Sequence, residues 1–171
     1  QGALNLDGNS WAEVHDNESL DVTTGLTLEA WVYWDGLNGG ILGRWGVSSN
    51  DRSYLLYALG NNFRMYVSPD GVAGANYEQN NSLISAGWNH LVGVYDGSNI
   101  VVYLNGSANG SSAYSSGIFS ANESIEIGRY NNDVANAYNN DIAQPRIYNR
   151  ALTAEEVQRN YNAGKNIYTN S

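Results

Sequence analysis

The sequence predicts an all-β fold: a two-sheet antiparallel jelly-roll sandwich of one domain, residues 1–171, closed by one short C-terminal helix. Three observations predict it. Short runs of Val, Ile, Leu and Tyr are broken throughout by Asn, Gly, Ser and Asp, with 13 Tyr, 5 Trp and 19 Gly but only 2 Pro. The stretch Trp88 to Gly106, WNHLVGVYDGSNIVVYLNG, sets two apolar arms around the turn Asp96-Gly97-Ser98 and reads as a β-hairpin. Both faces of those arms are largely apolar, so the hairpin belongs inside a layered structure. The third observation is helical signal near the C-terminus, where Thr153 and Glu156 have the spacing of a capping box.

The elements follow in order. Ala3 to Asp7 and Trp11 to Val14 alternate as short strands around the Asp7-Gly8-Asn9 turn. Thr27 to Trp34 places Leu28, Ala30, Val32 and Trp34 on one face and Thr27, Glu29, Trp31 and Tyr33 on the other, so that one face carries core aromatics and the other a Trp or Tyr nearer water. A short strand, ILGRW, follows Gly39-Gly40, and 46–52 is loop by composition. Tyr54 to Leu59 and Phe63 to Val67 pair across Gly60-Asn61-Asn62. Ser68 to Ser85 is polar, either loop or a weak edge strand around Ala75 to Tyr77. After the hairpin, Asn105-Gly106 turns the chain into a weak strand within Ser107 to Ser116. Ser124 to Gly128 is a strand, and Ile142 to Tyr148 is another whose Pro145 requires an edge or a bulge. Val157 and Tyr161 share the apolar face of the final helix, which Gly164 is expected to stop.

Charge and cysteine usage exclude several functions. The formal net charge is −9, with a single lysine, Lys165, among 8 basic residues. Such a surface repels phosphate backbones and anionic lipid, so neither nucleic acid nor membrane insertion is expected. The absence of cysteine removes disulfides, thiolate chemistry and Cys-based zinc sites. No apolar run of membrane-spanning length and no signal peptide occurs, so a soluble mature piece or excised module is expected.

The ordered set LNLDGNSWAEV, SLDVTTGLTLEAWVY, GWNHLVGVYDGSNIVVYLNG, IEIGRY and IAQPRIYNRALTAEEVQRNYNAG resembles the laminin-G-like domains of the concanavalin A-like lectin and glucanase superfamily, across Leu4 to Gly164. That resemblance implies two packed antiparallel sheets, with ligands on a concave face or at its rim loops. It also implies an extracellular, cell-surface or virion-surface setting. Many such domains hold structural calcium, often with a closing pattern IDEVRIYNRAL; here the acidic pair is replaced by Ala143 and Gln144. A Ca2+ ion, if held, is then expected to draw on Asp7 and Asp141, since first and last strands commonly meet in this fold. The IAQ form resembles surface proteins of marine bacteria, viruses and phages.

Function has to be argued from residues, because this fold hosts many activities. Glu123 and Glu126 have odd spacing and point to opposite faces of a regular strand, unlike the carboxylates spaced by two and four in the superfamily's glucanases. His15 and His90 belong to no HExxH motif, and His90 beside Trp88 and Leu91 reads as a structural hydrogen-bonding residue. Sugar sites use aromatic faces ringed by hydroxyl-binding polar groups. Trp45, Tyr57, Tyr66, Tyr77, Tyr130 and Tyr138, with Arg44, Arg64, Arg129 and Asn76 close in sequence, form the candidate ligand set, whereas Trp31 and Trp88 read as core. Arginine on a sheet interior needs an anionic partner, either an internal Asp or Glu or a carboxylated or sulfated glycan. The expected function is a non-catalytic glycan- or polysaccharide-binding module of a larger surface, phage or secreted protein. The alternatives are a structural or adhesion domain working through other protein domains of its parent assembly and, more weakly, a glycosidase.

Overall fold

The computed structural model describes residues 2–46, 51–72 and 76–169, except the side chain of Asn76. Twelve strands occur among them: β1 (Leu4–Asn5), β2 (Ala12–Val14), β3 (Leu26–Trp34), β4 (Gly39–Trp45), β5 (Arg52–Leu59), β6 (Asn62–Val67), β7 (Asn76–Gln79), β8 (Gly87–Tyr95), β9 (Asn99–Leu104), β10 (Ser107–Ala113), β11 (Ile125–Ile127) and β12 (Asp141–Tyr148). One helix follows, α1 (Ala154–Tyr168), and 3-10 turns lie at Glu18–Leu20 and Val134–Asn136. The strands form two six-stranded sheets, β1-β12-β3-β8-β9-β10 and β2-β11-β4-β5-β6-β7. Every paired strand is antiparallel to its neighbour.

Alternation decides which face of each strand enters the core. Leu26, Leu28, Ala30, Val32 and Trp34 of β3 meet Tyr54, Leu56, Ala58, Phe63, Met65 and Val67 of β5 and β6 between the sheets. The hairpin pairs β8 with β9, and Asp96 closes its turn by accepting from the backbone N–H of Ser98 and Asn99. Asn105 and Gly106 have φ of 51° and 81°, the left-handed pair that returns the chain into β10. Pro145 falls within a bulge between Ala143 and Arg146, with Gln144 at φ 48°.

The second face of β3 keeps one aromatic nearer water, as expected, since Tyr33 is 41% exposed. The other three are buried, Glu29 and Trp31 against α1 and Thr27 against the segment leading into it, where its hydroxyl donates to the Arg150 carbonyl and accepts from the Leu152 N–H. The helix places Val157 against Val92, Val94 and Tyr103, and Tyr161 and Tyr168 against Trp31. Glu29 accepts from the Arg146 guanidinium at 2.7 Å and the Asn160 amide at 2.8 Å, with His90 Nε2 at 3.1 Å. His90 is therefore the structural hydrogen-bonding residue expected. The Thr153–Glu156 capping box starts the helix, but Gly164 does not end it; α1 runs on to Tyr168. Gly164 instead lets the helix approach Trp31, since a Cβ there would lie 2.4 Å from Trp31 Nε1. No described helix is long and apolar enough to cross a membrane.

Candidate functional site

Because α1 covers the first sheet, the second sheet keeps the open face. On β5 the core residues Tyr54, Leu56 and Ala58 alternate with Leu55 and Tyr57, and on β6 Phe63, Met65 and Val67 alternate with Arg64 and Tyr66. Tyr57 is paired with Arg64 in register, Arg64 with Gln79, and Tyr66 with Tyr77. These pairings put one aromatic set on the outer face. Trp45, Leu55, Tyr57, Tyr66 and Tyr130 line a depression of about 190 Å³.

The rings form a connected but tilted array. Trp45 and Tyr66 have centroids 5.8 Å apart, Tyr66 and Tyr77 5.1 Å, and Tyr57 and Tyr130 5.4 Å. Gly43 leaves room for the floor, since a Cβ there would lie 2.8 Å from Leu55 Cδ1. Burial and then the neighbouring Tyr57 hydroxyl push the Tyr130 phenol up to about 12, so at neutral pH it is a neutral hydrogen-bonding group. Arg64 donates from Nε to Gln79 at 2.7 Å and from Nη1 to the Tyr66 hydroxyl at 2.9 Å, with its guanidinium 4.4 Å from the Tyr77 centroid. Arg52 lies 5.8 Å from the Trp45 centroid and donates to the Gly46 carbonyl.

Six of the sequence-predicted ligand residues, Trp45, Tyr57, Arg64, Tyr66, Tyr77 and Tyr130, thus share this face. Three others are corrections. Arg44 is only 1% exposed and is consumed by Asp16, Asp21 and the carbonyls of Glu123 and Leu20. Arg129 is buried against Glu126, with its guanidinium 3.5 Å from the Trp11 ring centroid. Tyr138 is wholly buried and donates its hydroxyl to the Tyr33 carbonyl at 2.6 Å; burial pushes that phenol far up. The first two arginines therefore chose the internal-carboxylate alternative. Asn76 pairs through its backbone in β7, but its side chain lies outside the described residues.

Leu55, Arg52 and Gln79 belong to the site although sequence reasoning passed over them. Leu55 could have been found from the alternation of YLLYAL, which puts it on the face of Tyr57. Arg52 was hidden by its loop-like surroundings, and Gln79 by the polar composition of the edge strand.

The candidate metal residues meet only in part. Strands β1 and β12 pair, with Asn5 opposite Asp141, and the Asn5 amide donates to the Asp141 carboxylate at 2.7 Å. Asp7 accepts from the Asn9 N–H and the Ser10 hydroxyl, both at 2.9 Å, which hold its carboxyl below the usual carboxylate range. Among the described residues no group of three or more His, Asp or Glu side chains converges as a metal cage. A calcium ion held by Asp7 and Asp141 would need its remaining oxygens, of the six to eight it takes, from backbone carbonyls, amide side chains or water.

The family model of the concanavalin A-like lectin/glucanases superfamily, laminin G type, matches residues 6–158. The chain belongs to that superfamily. Solved structures agree on the fold. Domain 4 of AbnA, an extracellular arabinanase from Geobacillus stearothermophilus in complex with arabinotriose, has a TM-score of 0.71 at 22% identity, covering 92% of this chain and 75% of that one. The LG4-5 domains of the mouse laminin alpha1 chain score 0.68 at 16% identity, covering 90% and 44%. The binding domain of Paraclostridial Mosquitocidal Protein 1 scores 0.71 at 17% identity, covering 96% and 46%. The chain thus spans three quarters of the arabinanase domain's chain and less than half of the other two. No match was found among curated protein sequences.

Proposed function

We propose that this domain is a non-catalytic glycan-binding module of an extracellular protein, and that it binds sugar on the outer face of the second sheet. The observation that carries the reading is the convergence there of Trp45, Tyr57, Tyr66 and Tyr130 around Leu55. Four rings on one open face cover the apolar side of a pyranose or furanose, while Arg64, Gln79 and the phenols reach its hydroxyls. The likeness to an arabinanase domain solved with arabinotriose, and to toxin binding domains, supports the same direction. A catalytic reading finds little support on this face, because Glu126 is engaged by Arg129 and by the Asn132 N–H.

A glycan array, probed with the folded domain and with Trp45→Ala, tests this. Binding by the parent that falls by about tenfold or more in the variant supports it, the loss expected for a central aromatic contact. An array blank for the parent refutes it and leaves contacts with other protein domains as the role of the aromatic face. Trp45 is half-buried on the outer surface, so the comparison is valid where both proteins keep the same near-ultraviolet circular dichroism.

A further inference from the structure

The pairing of the cations separates the site from the rest of the surface. The chain has 8 basic and 17 acidic residues, so carboxylates are abundant. Arg44, Arg129, Arg146, Arg150 and Arg159 each find one. Among the described residues Arg52, Arg64 and Lys165 do not. Lys165 stands in the last turn of α1, where a cation suits the helix dipole. The other two lie on the aromatic face.

Arg64 is the more telling. Its in-register neighbours are Tyr57 and Gln79 and its same-face neighbour on β6 is Tyr66, all neutral. Gln79 and the Tyr66 hydroxyl hold Nε and Nη1, and the Tyr77 ring lies against the guanidinium. Nη2 makes no hydrogen bond among the described residues. The guanidinium is therefore positioned without being neutralised, beside a platform for sugar rings. Arg52 differs, because the Asp51 and Glu123 side chains gather at Gly46, at its end of the sheet. Glu126, also on the second sheet, is neutralised by Arg129.

We propose that the site takes an anionic polysaccharide, with Arg64 as the residue that reads a uronate carboxylate or sulfate ester on a sugar held over Trp45, Tyr57 and Tyr66. The inference rests on the glycan-binding reading and adds the charge of the ligand to it. The Tyr130 phenol, neutral at working pH, adds a polar hydroxyl and no opposing charge.

The experiment compares matched polymers by isothermal titration at about 0.15 M salt, near physiological ionic strength. The pairs are polygalacturonate with its carboxyl-reduced form, and dextran sulfate with dextran; the proteins are the parent, Arg64→Gln and Arg64→Lys. The parent is expected to prefer the charged member of at least one pair by about tenfold or more, the range of a charge-assisted hydrogen bond. Arg64→Gln should bring that ratio close to one, and Arg64→Lys, which keeps the charge, should restore part of it. Preference within the first pair alone assigns a carboxylate, and within the second alone a sulfate; either supports the inference. Equal binding of charged and neutral members overturns it while the glycan reading stands. A ratio unchanged in a folded Arg64→Gln also overturns it. A folded parent that binds none of the four overturns the anionic assignment, and the array of neutral sugars then decides the broader reading separately.

Discussion

Gly164→Ala places two known effects in opposition, and the structure decides between them. Replacing glycine by alanine inside a helix is worth about 1 kcal/mol of propensity. At this position the new Cβ would lie 2.4 Å from Trp31 Nε1, 2.7 Å from Cε2 and 2.9 Å from Cζ2. The indole cannot retreat easily: it is wholly buried, with Tyr161, Tyr168 and His90 rings at 5.6, 4.9 and 5.1 Å. Overpacking of a filled core costs roughly 1–3 kcal/mol, and an overlap of about 1 Å against an immobile ring belongs at the upper end. The net expectation is destabilisation by about 1–2 kcal/mol, or about 3–6 °C in Tm for a domain of this size. Thermal unfolding followed by circular dichroism, with urea denaturation as a second measure, reads it directly. A Tm raised by the substitution would refute the reasoning, because α1 would then not be pressed onto Trp31.

Two further predictions concern the buried carboxylate and the metal. Glu29→Gln should cost about 3 kcal/mol, as expected when one partner of a buried ion pair is removed. Burial by itself would raise Glu29, but the bond from His90, its charge, the Asn160 amide and Arg146 together hold the group below its ordinary value of 4.5. A lowered folded-state value gives stability that is present above pH 4.5 and lost as pH falls through the folded value, so the Tm gap between parent and Glu29→Gln should narrow from about pH 5 downward. A gap that widens on acidification would contradict this. Removing calcium with a chelator should leave Tm unchanged, since among the described residues no three His, Asp or Glu side chains converge as a cage. A bound ion at 100 times its Kd would add about 2.7 kcal/mol, so a clear upward shift in calcium would reinstate the metal.

Legibility in the sequence followed the range of the forces involved. Hairpins and alternating strands were readable because turn chemistry and side-chain period are local, as Asp96-Gly97-Ser98 and β6 illustrate. The Pro145 bulge was readable for the same reason, since a missing donor cannot sit within a regular ladder. Gly164 was misread because a helix stop and a close approach both call for glycine, and only the tertiary position of Trp31 tells them apart. The arginines divided on distant partners: Arg44 meets Asp16 and Asp21 across 28 and 23 residues, a relation no spacing announces. Tyr138 failed likewise, since its acceptor, the Tyr33 carbonyl, is 105 residues away. Tyr57 and Tyr66 came together because each alternates with core positions on its own strand and so faces outward, whereas Tyr130 lies beyond the end of β11 and reaches them only through tertiary placement.

An acidic domain that takes an acidic ligand needs its local and global charges to act over different distances. The domain carries a formal net charge of −9, which opposes a polyanion at long range. The Debye length falls from about 30 Å at 0.01 M salt to about 8 Å at 0.15 M, so salt screens that repulsion first. The Arg64 contact acts at hydrogen-bond distance beside half-buried rings and is screened far less. Affinity for a polyanion should therefore rise between about 0.01 and 0.15 M salt and fall only beyond that range, as the remaining attraction is screened in turn. In Arg64→Gln the initial rise should persist, because the net repulsion is still present, while the later fall disappears with the contact that caused it. Titrations of both proteins from about 0.01 M to about 1 M salt read the two behaviours apart. A parent affinity that falls steadily from the lowest salt would mean that attraction already dominates at long range, which the −9 charge does not provide.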